Sequence, residues 1–397
     1  VSTLGIYIQI PFCGSKCSFC NFSSHVAREN LIARYCEALE RESTEGGKLA
    51  TSVGIASAVV RLPVDTIYIG GGTPTLVGQE RLIRIVAKLR ECFEIEAPRE
   101  FTLEVTPASA DEDFLKTLRN WGINRLSIGA QSFSDRELRA VGRLHSAADT
   151  YESVAQARRA GFSNISLDLI AGLPGQTESS WRENLRAMEQ LRPEHISVYM
   201  FEVDEKSRLG REVVRHGERY HAGEVPDENF MADAYEYARS FLRGAGYRQY
   251  EISNFALPGF ESRHNQKYWR LEPYLGFGAG AHSFDGERRW ANEISPEGYA
   301  QCLARGETPA ADIRCLAVEE QIEEFFFLGL RQVEGVDLAE ARGRWGDAAL
   351  GRWESIIAGL AERGLLAREN DRVRLPDHAL LFSNEIFQEF LVTQAEA

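Results

Sequence analysis

Apolar and polar residues alternate along this chain in blocks of two kinds. Short apolar runs rich in β-branched residues fall at Gly5–Ile10, Thr66–Gly70, Phe101–Val105, Arg125–Gly129, Ile165–Ala171 and His195–Phe201. Their length and composition predict buried parallel strands. Charge-rich stretches with an apolar residue every three or four positions lie between them, at Asn30–Thr44, Gln79–Phe93, Asp111–Asn120, Ala148–Ala160 and Ser179–Leu191. Those predict amphipathic helices. Asp111 and Ser179 are placed to cap helix starts, and Gly122 and Gly161 to stop helices. Six strand–helix units connected right-handedly predict an α/β fold, a partial (β/α)6 barrel short of the eight units that close one.

In such barrels the chemistry gathers at the C-terminal ends of the strands. The strands here end, in order, in a cysteine loop, in GGGTPT (Gly70–Thr75), in Glu104 and Thr106, in Gln131 and Ser132, in AGLPGQT after Asp168, and near Tyr199 and Glu202. One end of nearly every strand is polar or glycine-rich, as an active-site rim requires. Beyond the barrel, Glu319–Arg331 reads as a helix with a strongly apolar centre, Leu338–Arg363 as one or two more, and Val373–Pro376 as a short strand. Together they predict a small, mainly helical, winged-helix-like domain. The expected division is 1–210 for the barrel, 211–304 for an extension and 305–397 for the C-terminal domain. The locally basic Arg208–His221 reads as a solvated helix face.

Composition narrows the function. The chain has 397 residues and a formal net charge of −14, which argues against a broad nucleic-acid footprint. No apolar run reaches the roughly 18 residues of a membrane span. The start lacks Met and runs into a strand pattern without a basic region, so a signal peptide is not expected. Four of the seven cysteines (Cys36, Cys92, Cys302, Cys315) are scattered. That is the usage of a reducing compartment, here the cytoplasm, and not of a disulfide framework.

The other three cysteines stand together as C-x3-C-x2-C, at Cys13, Cys17 and Cys20. Three thiolates suit a [4Fe-4S] cluster with one iron left open. A closed zinc site wants four ligands, and His25 is the available fourth, so the cysteines by themselves leave zinc open. The GGGTPT glycines let backbone approach a ligand closely.

The cysteine spacing resembles the signature of the radical S-adenosylmethionine (SAM) superfamily. YIQIPFCGSKCSFC, YIGGGTPT, LEVTP, RLSIGAQS, LDLIAGLPGQT, YEISNFALPGF and RHNQKYW together resemble its coproporphyrinogen-oxidase-like branch, as does FFFLGLRQVEGVD in the C-terminal region. Within that branch the oxidases carry a further cysteine two positions after the third. Here that residue is Phe22, and HNQKYW matches an H-N-x-x-Y-W motif. Both features are similar to the HemW-type haem chaperones.

The resemblance implies a [4Fe-4S] cluster on the three cysteines, with SAM on its open iron. It places Tyr7 beside the cluster, Phe19 near the adenine, and Gly71, Gly72 and Thr73 as backbone contacts. Glu104 would meet the SAM ammonium. Gln131, Arg143 and Asp168 would meet its carboxylate or ribose hydroxyls. It also implies haem as a carried ligand, with His264, Tyr268, Trp269 and His282 as candidates: a histidine nitrogen can ligate iron, and aromatic rings can support a porphyrin. The partners it implies are apo-haemoprotein recipients, membrane-bound respiratory proteins among them. It leaves room for a homodimer and for a peripheral position at the inner face of a membrane. The alternative within the branch is a radical enzyme, a porphyrinogen oxidase or a methylase, that generates a 5′-deoxyadenosyl radical.

Overall fold

A computed structural model describes residues 2–26, 28–52 and 57–391. Six parallel strands form its centre: β1 (Leu4–Ile10), β2 (Val64–Gly71), β3 (Glu100–Val105), β4 (Arg125–Gln131), β5 (Ile165–Ala171) and β6 (His195–Met200). They lie side by side in chain order, each joined to the next by helix. The expected partial (β/α)6 barrel is present.

Two antiparallel strands extend the sheet past β6, namely β7 (Arg248–Gln249) and β8 (Asn254–Ala256). Past β1 the sheet continues with β9 (Tyr274–Phe277), which runs parallel to β1, and then by antiparallel pairing with β10 (His282–Phe284), β11 (Arg288–Asn292) and β12 (Ala310–Cys315). The order is β12-β11-β10-β9-β1-β2-β3-β4-β5-β6-β8-β7. Ala310–Cys315 is thus the outermost strand of the large sheet, and the C-terminal helices begin after it.

The helices follow their apolar period. Gln79–Cys92 buries Leu82, Ile85, Val86 and Leu89, which share one face at spacings of three and four. Asp111 accepts from the Phe114 amide and starts Glu112–Asn120 as expected. The cap of Glu178–Leu191 is Thr177 and not Ser179: its hydroxyl accepts from the Ser180 amide, and the Ser180 side chain answers the Thr177 amide. Gly122 and Gly161 each follow a helix end at φ of 107° and 91°.

The basic stretch is only in part a solvated helix. Arg208–Val214 is helical, with Leu209 and Gly210 buried and the Leu209 amide donating to the Ser18 carbonyl. Tyr220 and His221 then adopt left-handed backbone, at φ 57° and 60°.

The C-terminal region packs Val318–Gly329, Leu338–Trp345 and Asp347–Glu362 around its own core, with Phe326, Ile357 and Phe390 at the centre. A three-stranded sheet, Val336–Asp337, Arg372–Arg374 and Ala367–Glu369, completes a winged-helix-like unit. The unit is tied to the barrel where Gln332 bridges Glu251 and the Val333 amide donates to the Tyr250 carbonyl.

Candidate functional site

Side chains alternate across a strand, so every second residue of the six parallel strands points inward. In most folds of this kind that interior is packed with apolar groups. Here it holds Tyr68, Glu104, Arg125, Ser127, Asp168 and Ser197, around a cavity of 1280 Å³. Pockets for one small molecule run to about 1,000 Å³, so there is room for more than one ligand. The cysteine loop and glycine loop line the rim. Arg125, Ser166 and His195, at the opposite ends of β4, β5 and β6, line the same cavity.

Cys13, Cys17 and Cys20 all line it and are half-buried free thiols. Burial pushes the Cys13 thiol up, and hydrogen bonds with Ser24 and Thr73 oppose that rise. Arg143 brings Nη1 to 3.8 Å from the Cys17 sulfur and donates from Nη2 to the Gly129 carbonyl at 2.6 Å. Among the described residues no three His, Cys, Asp or Glu side chains close on a single ion position. His25 does not line the cavity; its residue pairs beside Phe12, where its amide donates to the Pro11 carbonyl. Three thiols lining one cavity suit a [4Fe-4S] cluster with an open iron.

The glycine loop is pressed onto the cysteine loop. The Gly72 amide donates to the Ile10 carbonyl at 2.9 Å and the Thr73 amide to the Phe12 carbonyl at 2.6 Å. Gly71 has φ 114°, and its amide donates to Glu104 Oε2 at 2.8 Å, while the Tyr68 hydroxyl donates to Oε1 at 2.8 Å. Burial raises the Glu104 carboxyl to about 7, against the pull of those two hydrogen bonds. Burial likewise raises Asp168 to about 6, opposed by Ser197, Arg125 and Arg143. Two such carboxyls gain by meeting a cation or hydroxyls. Arg143 Nε is buried without a protein partner, a donor free for an anion. These features fit SAM, which carries an ammonium, ribose hydroxyls and a carboxylate.

Gln131 lines the cavity at φ 66°, a left-handed conformation that a non-glycine residue holds only under constraint. The constraint lies behind it. Ser132 Oγ donates to Glu137 Oε2 at 2.6 Å, the Phe133 amide donates to Asn184 Oδ1, and Gln176 Nε2 donates to Glu137 Oε2 at 3.0 Å. Phe19 lines the cavity and packs on the cluster of Ile170, Phe201 and Met231.

Tyr7 is not on the wall. It stacks behind Tyr68 with ring centroids 6.0 Å apart, and Tyr68 is the one facing the cavity. The free His264 nitrogen expected for iron is not offered either. His264 is 1% exposed. Its Nδ1 bonds Thr66 Oγ1 at 2.9 Å and its Nε2 bonds the Tyr268 hydroxyl at 2.8 Å. Burial drives its pKa down to about 3. Tyr268 turns its ring edge to Tyr274, and Trp269 lies under the Arg331 guanidinium. His282 is exposed on β10, outside the cavity lining. Of the HNQKYW segment, Asn265 reaches the cavity.

Several wall residues were not singled out in the sequence. Tyr68, Ser127, Ser166 and Ser197 were legible as polar residues at alternate positions of apolar strands. Leu380–Glu385, which close one side of the cavity from the C-terminal unit, carry no such signal.

The Radical SAM superfamily matches residues 7–188, and the HemN C-terminal domain matches residues 316–382. The chain is 36% identical to the heme chaperone HemW of Bacillus subtilis (strain 168), covering 97% of this chain and 98% of that protein. It is 30% identical to the heme chaperone HemW of Escherichia coli (strain K12), covering 98% of each. This chain belongs to the HemW family of radical SAM proteins. Its fold superimposes on the solved coproporphyrinogen III oxidase HemN of Escherichia coli with a TM-score of 0.84, at 25% identity, over 98% of this chain and 90% of that one. Membership of the radical SAM superfamily implies a [4Fe-4S] cluster and SAM.

Proposed function

We propose that this protein is a haem carrier that binds a [4Fe-4S] cluster and SAM at the barrel rim and haem deeper in the same cavity. The full-length similarity to proteins named heme chaperones carries this reading. The size of the cavity supports it, since SAM alone would leave much of the space unused. So does Phe22, 67% exposed beside the cluster loop, with Leu144, 81% exposed, on the same rim. Exposed apolar side chains around an opening suit a flat apolar ligand that must leave again.

Cys13, Cys17 and Cys20 would hold the cluster. Gly71, Gly72 and Thr73 would present backbone to SAM, with Glu104 on its ammonium and Arg143 on its carboxylate. The cluster, when bound, supplies an open iron and one-electron chemistry. The chain's own part is to orient the ligands and to shield them from water. In this reading the HNQKYW segment contributes at the inner end through Asn265, with His264, Tyr268 and Trp269 behind the wall. His282 takes no role there.

Recipients would be apo-haemoproteins, membrane-bound respiratory proteins among them. Among the described residues no helix is long and apolar enough to cross a membrane; in this reading the carrier is cytoplasmic and meets such recipients peripherally. A homodimer is compatible with this reading.

An anaerobic titration of the cluster-reconstituted protein with haem, followed at the Soret band, tests it. Saturation at one haem per chain is expected. Absence of saturable binding overturns the carrier reading. Formation of 5′-deoxyadenosine with a porphyrinogen would then favour the radical-enzyme alternative, for which the structural likeness to HemN speaks.

A further inference from the structure

The inner end of the cavity contains buried guanidinium donors that no protein group uses. Arg125 opens β4 and is 2% exposed. Its Nη1 donates to Asn164 Oδ1 at 3.0 Å and to the Phe260 carbonyl at 3.4 Å, but its Nε has no partner. Arg331 comes from the other unit, two residues past the helix Val318–Gly329, and its Nε is also buried without a partner. Both line the cavity. Arg331 as a residue is only half-buried, but a buried guanidinium N–H without an acceptor is costly unless a ligand supplies one, and a carboxylate fits the fork.

Arg331 is held in place. Its guanidinium carbon lies 4.6 Å from the centroid of the Trp269 ring. Its carbonyl accepts from the Ile252 amide, and the next residue, Gln332, bridges Glu251. Trp269 in turn ends the helix Arg263–Trp269, which is fixed by Glu100 accepting from the Arg263 and His264 amides. The acidic neighbour of Arg331 is Glu251, whose buried carboxyl is raised to about 7 and so repels an anion only in part at neutral pH. Asp168, further toward the rim, is the acidic neighbour of Arg125.

We propose that Arg331, laid on Trp269, and Arg125 form an anion subsite at the inner end of the cavity, which takes a carboxylate of the second ligand. On the haem-carrier reading, on which this rests, that carboxylate is a haem propionate. The HNQKYW segment then reaches the ligand site through Asn265, while Trp269, behind the wall, seats Arg331. Arg125 opens β4, and Arg143, which approaches Cys17, bonds the Gly129 carbonyl four residues further along the same strand, about 13 Å away at the usual rise. Haem would enter past Phe22 and Leu144 with a propionate edge leading.

Haem and haem dimethyl ester, whose propionates are blocked, are titrated into the full-length protein and into Arg331→Gln and Arg331→Lys. Haem affinity is expected to fall at least tenfold in Arg331→Gln and to recover in part in Arg331→Lys. The ester is expected to bind the parent protein weakly and to be indifferent to either substitution. Equal haem affinity in the parent and Arg331→Gln, with matching melting temperatures, overturns the subsite and leaves the carrier reading standing. Failure of the parent to bind haem brings down the carrier reading and the propionate assignment together. Ester bound as tightly as haem assigns the affinity to the porphyrin face and also overturns the subsite.

Discussion

Gly72 lies against the Phe12 carbonyl so closely that a Cβ built on it would stand 2.4 Å from the oxygen. The cysteine loop begins at that carbonyl. Backbone cannot yield as a flexible side chain can, so Gly72→Ala must push the two loops apart. It is expected to cost about 2 kcal/mol or more and to reduce iron bound per chain after anaerobic reconstitution. Gly359→Ala is the control, in the helix Asp347–Glu362 with open space around it, and should raise stability by up to about 1 kcal/mol with iron content unchanged. Equal iron in both variants would show that the contact does not set the cysteine loop.

Glu104 gives a pH signature. Its carboxyl has a folded value of about 7 against an ordinary 4.5. The folded protein keeps the proton where the unfolded chain has released it. This group's contribution to stability is therefore full below pH 4.5 and declines as pH rises to about 7. Glu104→Gln removes that decline. The ligand-free variant should gain on the parent by about 2–3 kcal/mol between pH 5 and pH 8, read as a difference in melting temperature. A gap independent of pH would contradict the raised value. SAM affinity in the parent should strengthen over the same range, because the ammonium favours the carboxylate, and Glu104→Gln should flatten it.

Gln131 holds a left-handed backbone that glycine adopts freely. Gln131→Gly should leave stability unchanged or raise it by up to about 1 kcal/mol while weakening SAM binding. That combination marks strain kept for the ligand. A variant that both melts lower and binds SAM normally would place Gln131 among structural residues.

Both nitrogens of His264 serve Thr66 and Tyr268. His264→Ala strands two buried hydroxyls and opens a void, at an expected cost of about 3 kcal/mol. If the imidazole is structural, haem bound by the variant keeps the parent's Soret position. An altered Soret band with an unchanged melting temperature would instead assign His264 to iron.

Behind the rim, Glu137 accepts from Ser132 and Gln176 and so joins the loop after β4 to the loop after β5. Glu137→Ala removes the shorter acceptor of each donor and leaves Ser132 only Asn184 Oδ1 at 3.3 Å and Gln176 Nε2 only the Ile170 carbonyl at 3.2 Å, at an expected cost of about 1–2 kcal/mol. SAM affinity should fall with it, because Gln131 adjoins that loop. Intact SAM affinity in a destabilised Glu137→Ala would separate the network from the site.

The six strands were legible because each is a short apolar run whose period and flanks admit little else. Gln79–Cys92 was legible because one face repeats at helical spacing. The cap at Thr177 was not, since Thr177 and Ser179 are both acceptable capping types and only the backbone path chooses between them. The cysteine loop, the glycine loop, Glu104 and Asp168 declared themselves by residue type at strand ends. His264 misled for the same reason: a histidine beside aromatics looks like a ligand until its neighbours are known. Tyr7 and Tyr68 occupy equivalent positions on adjacent strands, and nothing local says which ring meets the cavity.

The sequence by itself determined the strand–helix alternation, the three thiols on one short loop and the polar ends of the strands. These are set by residue type and by separations of a few positions, where backbone geometry leaves little choice. Only the tertiary structure decided that His264 is closed off by Thr66, 198 residues away. It also decided that Arg331 crosses from the C-terminal unit onto Trp269, and that Arg125 and the cysteines share one cavity. Those outcomes depend on which distant groups come into contact and which buried donors find acceptors, and packing settles them after the local elements have formed.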